Sequence, residues 1–212
     1  MYSPFLAQLV VIRRCNLSCG YCNEYDEVSP PVSRTLLNER IDKLKALGTF
    51  SLELTGGEPM MHPDIYDLIR YGRSLRFHKV MMISNAYLLN EDKVRRLNDA
   101  GLQALQISVD GVKTNDVTLK VLDTLRPKLK AVARAAEFEV TLSGVLGAAP
   151  PEEALEVVRF AADHGFKPRV LVIHDGDGQM VLSDRDREIF AEIKGAIGKR
   201  YIDALAHVRI MA

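Results

Sequence analysis

The 212-residue chain balances 28 basic against 28 acidic side chains, with 47% hydrophobic and 26% charged residues. That is an ordinary globular mixture, able to bury a large core, with no electrostatic footprint for nucleic acid or an anionic membrane surface. No apolar run approaches the length of a membrane span, and three clustered cysteines do not resemble an even-numbered disulfide framework, so a reducing cytoplasm is the expected compartment.

The first dozen residues are apolar, lack a basic leader and run directly into the cysteines. They read as a strand, not a signal peptide, with the strand proper at 8–13. Ser33 can cap a helix whose Leu37, Ile41 and Leu44 share one face and which Gly48 stops. A second strand is expected at 51–55. Pro63 suits the first turn of a helix carrying Ile65, Leu68 and Ile69. A third strand, 79–84, precedes a helix capped by Asn90, with Glu91 and Asp92 at its positive end and Gly101 just beyond it. Strand 104–108 follows. A helix is expected over 117–136, broken or kinked at Pro127. Strand 139–143, a helix from Pro150 to Gly165, strand 169–173 and a helix from Ser183 to about Ile197 complete the series.

Six strands alternating with six helices imply parallel pairing through right-handed crossovers, in an open doubly wound sheet or a barrel. An eight-stranded barrel takes about 250 residues, so six units here suggest a shorter, incomplete one. Residues 1–198 form this core, and the tail 199–212 could close the open end or begin an extension. Gln106, Ser108 and Asp110 alternate with Ile107 and Val109, and Glu53 with Thr55 repeats the pattern. A parallel strand buried on both faces should be nearly all apolar, so one face of these strands is polar for a reason.

Cys15, Cys19 and Cys22 stand as C-x3-C-x2-C and are the only cysteines. A structural zinc site would want a fourth protein ligand, and none of the five histidines lies at finger-like spacing from them. A 4Fe-4S cluster needs a ligand on each of four irons; three cysteines leave one iron open. Gly20 relieves crowding in so tight a loop.

The cysteine spacing, with aromatic Tyr21 just before the last cysteine, resembles the signature of the radical S-adenosylmethionine (radical SAM) superfamily. Leu54-Thr55-Gly56-Gly57-Glu58-Pro59, at the end of the second strand, resembles that superfamily's Gly-Gly-Glu-Pro motif in type and place. The resemblance implies an α/β fold, a partial (β/α)6 TIM-like barrel with a parallel sheet, outer helices and its chemistry at the C-terminal mouth. It implies that Cys15, Cys19 and Cys22 ligate three irons and that the SAM methionyl group chelates the fourth. Gly56, Gly57, Glu58 and Pro59 would lie near the methionyl ammonium, and the backbone at Tyr21 near the adenine. Ser108 and Asp110 would make ribose and carboxylate contacts, and Ser143 and the backbone at Ile173 are further SAM-site positions. The reaction implied is reductive cleavage of SAM to a 5′-deoxyadenosyl radical that abstracts hydrogen from a small-molecule or peptide substrate. It would be oxygen-sensitive and driven by an external one-electron donor such as flavodoxin or ferredoxin. The alternative is a 4Fe-4S electron-transfer or sensor protein without SAM chemistry.

The chain departs from the resemblance in two places. Where many relatives have Thr-Asn-Gly after the third strand, this chain has Ser84-Asn85-Ala86; Asn85 is kept as a SAM- or substrate-site residue, while alanine resists the positive φ of the glycine. No cysteine follows Cys22, so either the enzyme uses one cluster or the chain is a shortened piece of a longer protein; the radical GTP cyclase reaction, which needs a second cluster and a glycine-rich tail, is not expected. The acidic loop from Asn23 to Glu27 and the loop His174-Asp175-Gly176-Asp177-Gly178-Gln179 are expected at the mouth, where either could take a cationic or hydroxylated substrate. His62 is expected to be a local structural contact.

Overall fold

The computed structural model describes residues 3–22, 26–173 and 182–197. The loop positions 23–25 and 174–179 and the tail 199–212 lie outside the described residues. Six strands form one parallel sheet in chain order: β1 (Leu6–Ile12), β2 (Ser51–Gly56), β3 (Lys79–Ser84), β4 (Ala104–Ser108), β5 (Glu139–Leu146) and β6 (Lys167–Val172). Among the described residues β1 pairs only with β2 and β6 only with β5, so the barrel is partial and the sheet open. Helices α1 (Arg34–Ala46), α2 (Ile65–Ser74), α3 (Glu91–Ala100), α4 (Leu122–Ala135), α5 (Pro151–Asp163) and α6 (Asp184–Ile197) connect or follow the strands. None is long and apolar enough to cross a membrane.

Strand alternation places the core. Leu52, Leu54, Val80, Met82, Leu105, Ile107 and Leu142 are fully buried and pack, directly or within one cluster, with Leu37, Ile41, Leu68, Ile69, Leu97, Leu125, Leu129 and Val132 from the helices. The opposite, inner face is polar, as the alternation at Gln106 and Ser108 anticipates. There Gln8 Nε2 donates to Glu53 Oε2 at 2.7 Å and Arg169 Nη1 to Gln106 Oε1 at 2.6 Å.

Caps form where the side chains permit. Ser33 Oγ accepts from Leu36 N, and Asn90 Oδ1 from Lys93 N. Two helical expectations need correction. Pro63 lies in the turn before α2, which starts at Ile65. Residues 117–121 are not helical: α4 starts at Leu122 and continues through Pro127 to Ala135 without a break. The reason is local. Asn115 Oδ1 accepts from Val117 N at 2.8 Å and Thr118 N at 2.9 Å, a side-chain turn that competes with helix formation.

Candidate active site

The three cysteines follow β1 at the C-terminal end of the sheet. The base of their loop is closed by backbone bonds, Cys15 N to Asp26 O at 3.2 Å and Asp26 N to Arg13 O at 3.1 Å. Cys22 N donates to Cys19 O at 3.1 Å, a backbone turn that links the second and third cysteines, although among the described residues the three thiols are not gathered closely enough to hold a metal ion. Cys19 is 6% exposed, and Cys15 and Cys22 are half-buried; all three are free thiols. Burial raises the Cys15 pKa. A hydrogen bond from Leu17 N offsets part of this, and the charges of Glu58, Cys19 and Cys22 add to it. Three thiols within eight residues are donors of the kind that an iron-sulfur cluster takes. A depression of about 310 Å3 opens beside Cys15, between Arg14, Glu27 and Met61.

The Gly56-Gly57-Glu58-Pro59 turn packs directly on the approach to the cysteines. Gly57 N donates to Ile12 O at 2.8 Å and Glu58 N to Arg14 O at 3.0 Å. A Cβ on Gly56 would lie 2.0 Å from Ile12 O, and one on Gly57 would lie 2.2 Å from Arg13 O. Only glycine permits this approach of two backbones. Pro59 begins a 3-10 turn, Pro59–Met61. Glu58 is 0% exposed. Its Oε1 accepts from Met60 N at 2.9 Å and Ser84 Oγ at 2.8 Å, and its Oε2 from Asn85 N at 2.7 Å. Burial raises its pKa, and these donors counteract the rise without cancelling it. The Glu58 carboxylate thus binds the ends of β2 and β3 together.

Asn85 completes the link to the cysteines, its Nδ2 donating to Asn16 Oδ1 at 2.9 Å and lying 3.7 Å from Cys15 Sγ. Ala86 does adopt a left-handed conformation, φ 63°, the geometry that its side chain was expected to resist. Burial and a hydrogen bond from Ala86 N to Ser84 Oγ hold it there.

A second polar centre joins the cysteine loop to β4. Asp110, 0% exposed, accepts through Oδ2 from Tyr21 Oη at 2.8 Å, Thr118 Oγ1 at 2.8 Å and Lys120 Nζ at 3.0 Å. Lys120 Nζ also donates to Tyr21 Oη. Burial and the Asp110 charge push the Tyr21 phenol up, against the lowering effect of Lys120. Burial alone would lower the Lys120 pKa, but Asp110 and Tyr21 raise it overall. The 111–121 loop reaches the cysteines again through Leu119 N to Cys19 Sγ at 3.4 Å and Gly20 N to Val117 O at 3.0 Å. A Cβ on Gly20 would lie 2.6 Å from Asp116 O, the physical form of the crowding expected there.

Two buried polar atoms face this region of the sheet without a hydrogen-bond partner among the described residues: Asp110 Oδ1 and Ser143 Oγ. Ser143 is the register neighbour of Ser108 on the inner face. An unpartnered carboxylate oxygen suits a hydroxyl donor such as a ribose. The sequence-predicted residues therefore fall into two joined groups, Cys15 with Glu58 and Asn85, and Cys19 and Tyr21 with Asp110. Ile173 follows β6 and pairs through its N–H with Leu146 O, with no direct bond to either group. His62 is the structural contact expected, its ring bonding Val32 O and Asp64 N. Asp26 serves its own loop, accepting from Val28 N and Ser29 N. Sequence reasoning missed Thr118 and Lys120.

The chain matches the radical SAM superfamily over residues 9–192 and belongs to it. Among curated relatives, it is 30% identical over 146 residues to an AdoMet-dependent heme synthase of Methanosarcina barkeri, covering 68% of this chain and 38% of that protein. It is 31% identical over 142 residues to a GTP 3′,8-cyclase of Marinobacter nauticus, covering 65% and 39%. The fold matches Streptococcus suis SuiB bound to S-adenosylmethionine with a TM-score of 0.74 at 18% identity, over 93% of this chain and 45% of SuiB. SuiB is also known bound to its precursor peptide SuiA. The chain thus spans about two fifths of these curated relatives and under half of SuiB. The heme synthase and the GTP cyclase are enzymes, and the SuiB structure holds S-adenosylmethionine.

Proposed function

We propose that the chain cleaves SAM reductively and uses the resulting 5′-deoxyadenosyl radical to take hydrogen from a small-molecule or peptide substrate. Cys15, Cys19 and Cys22 hold the cluster through three irons. The observation that carries the reading is the junction of the cysteine loop with two elements at once: Glu58 and Asn85 on one side, Asp110 on the other. Plain electron transfer has no use for the second junction, whose free carboxylate oxygen awaits a donor.

When bound, the cluster and SAM supply a one-electron cleavage that no protein side chain can perform. The residues position and enclose. Gly56 and Gly57 admit close backbone contact, Asn85 fixes the Cys15 arm, and Asp110 Oδ1 accepts from the nucleoside. Ser108, Ser143 and the backbone at Tyr21 and Ile173 complete the SAM site, and Pro59 holds the turn after Glu58. The polar inner face, with Glu53 and Arg169, receives the substrate, and an external one-electron donor reduces the cluster. The heme synthase, the GTP cyclase and the SuiB peptide complex span both substrate classes. Anaerobic reconstitution, reduction and incubation with SAM should yield 5′-deoxyadenosine. No product from a fully iron-loaded protein, or equal product from Cys19→Ala, would contradict the proposal.

A further inference from the structure

The charged group nearest Asp110 is not on β4, whose end Asp110 follows by two residues. Lys120 stands ten residues later, in the stretch that sequence periodicity assigns to a helix, and is held there by backbone pairing. Asp110 N donates to Lys120 O at 2.8 Å, Leu122 N to Gly111 O at 2.9 Å, and Lys120 N to Thr118 Oγ1 at 3.0 Å. Its side chain is 18% exposed and reaches both Asp110 Oδ2, at 3.0 Å, and Tyr21 Oη. Three donors, from Tyr21, Thr118 and Lys120, converge on one oxygen of the carboxylate and leave the other with none among the described residues.

We propose that Lys120 is a positioning residue for the nucleoside end of SAM, an inference that rests on the proposed function. Its ammonium fixes Asp110 and Tyr21 as one unit. The side chain of Tyr21 is tied down at its hydroxyl, so the main chain beside Cys22 is held in place. Asp110 is turned so that Oδ2 takes the protein's own donors and Oδ1 is left for the ligand. That oxygen only accepts, so the ligand group seated on it must be a donor, a hydroxyl for SAM. Without its cation the buried carboxylate is left as an unpaired charge held by the Tyr21 and Thr118 hydroxyls alone, one of which loses its own anchor on Lys120. Thr118 and Leu119 tie the same loop to Cys19, so one segment, 111–121, steadies both the cluster ligand and the nucleoside contact.

The test uses the iron-loaded protein and anaerobic calorimetry with S-adenosylhomocysteine, which is not cleaved. Lys120→Met should lower affinity roughly tenfold to a hundredfold, the loss usual when a group that orients a direct ligand is removed, with iron per chain unchanged. The double variant Lys120→Met with Asp110→Asn removes the orphaned charge and should regain thermal stability, while affinity stays low. Wild-type affinity in Lys120→Met would overturn the proposal and make Lys120 a charge partner for the fold alone; wild-type affinity in the double variant would remove Asp110 as the ligand contact and overturn it as well. Wild-type protein that neither binds this probe nor yields 5′-deoxyadenosine would instead remove the proposed function.

Discussion

Glu58 shows how a motif residue can be committed to structure before any ligand arrives. Both of its oxygens are taken, by Met60 N, Ser84 Oγ and Asn85 N. Glu58→Ala leaves these donors buried and unmatched, and should destabilise the protein by about 2 kcal/mol or more, read by urea unfolding. A variant within a few tenths of wild type would show that the three bonds contribute little. Glu139 makes a different kind of contribution, at the start of β5. Its burial would raise the carboxyl, but Lys167 at 2.5 Å and Lys79 at 3.3 Å outweigh burial and lower it. A lowered carboxyl stabilises the fold above its ordinary pKa of 4.5, and that contribution is lost as pH falls through the lower folded value. All three side chains are about a third exposed or more, so solvent screening limits the effect. Glu139→Gln should cost about 0.5 kcal/mol near neutral pH, with the two melting curves converging as the medium becomes acidic. A gap that persists in acid would point to packing instead of charge.

At the scale of elements, the site is a meeting of loops, and Gly57 is where two of them touch. Gly57→Ala would put a Cβ 2.2 Å from Arg13 O and 2.4 Å from Arg14 O, both backbone atoms of the segment entering the cysteines. That segment must move, so the variant should take up less than half of the wild-type iron on reconstitution while retaining its circular dichroism. Full iron loading would show that the loop tolerates the shift. The strands behind these loops were legible because alternation and β-branched runs mark them. β3 and β4 fall at the expected residues, and β5 runs three residues further than expected, to Leu146. The cysteines, the two glycines and Asp110 were legible as spacing and motif. Lys120 and Thr118 were not, because Val117 to Val121 continues the apolar spacing of α4. The information that overrides that spacing lies upstream, in the Asn115 turn and in β-branched Val117 and Thr118, which lose side-chain freedom in a helix. The pairing of Lys120 with Tyr21 spans 99 residues and has no local signature. Ala86 is a similar case, since only the surrounding bonds explain why a non-glycine residue holds φ 63°.

The whole molecule places one polar surface inside one apolar shell. Its six parallel strands all end on the same side, so their following loops converge, and the radical SAM motif residues lie on the first four of them. The inner face of the open sheet carries Glu53 and Arg169, each three residues before the end of its strand and each bonded to a glutamine. It is polar where a closed parallel core would be apolar. The proposed attachment of SAM is at the fourth iron, the one without a cysteine. Its most direct measurement is electron–nuclear double resonance on the reduced, reconstituted protein with SAM isotopically labelled at the methionyl amine and carboxylate. Hyperfine coupling from both labels, lost when SAM is omitted, is the expected result. A reduced 4Fe-4S signal with no coupling to either label at saturating SAM would contradict it.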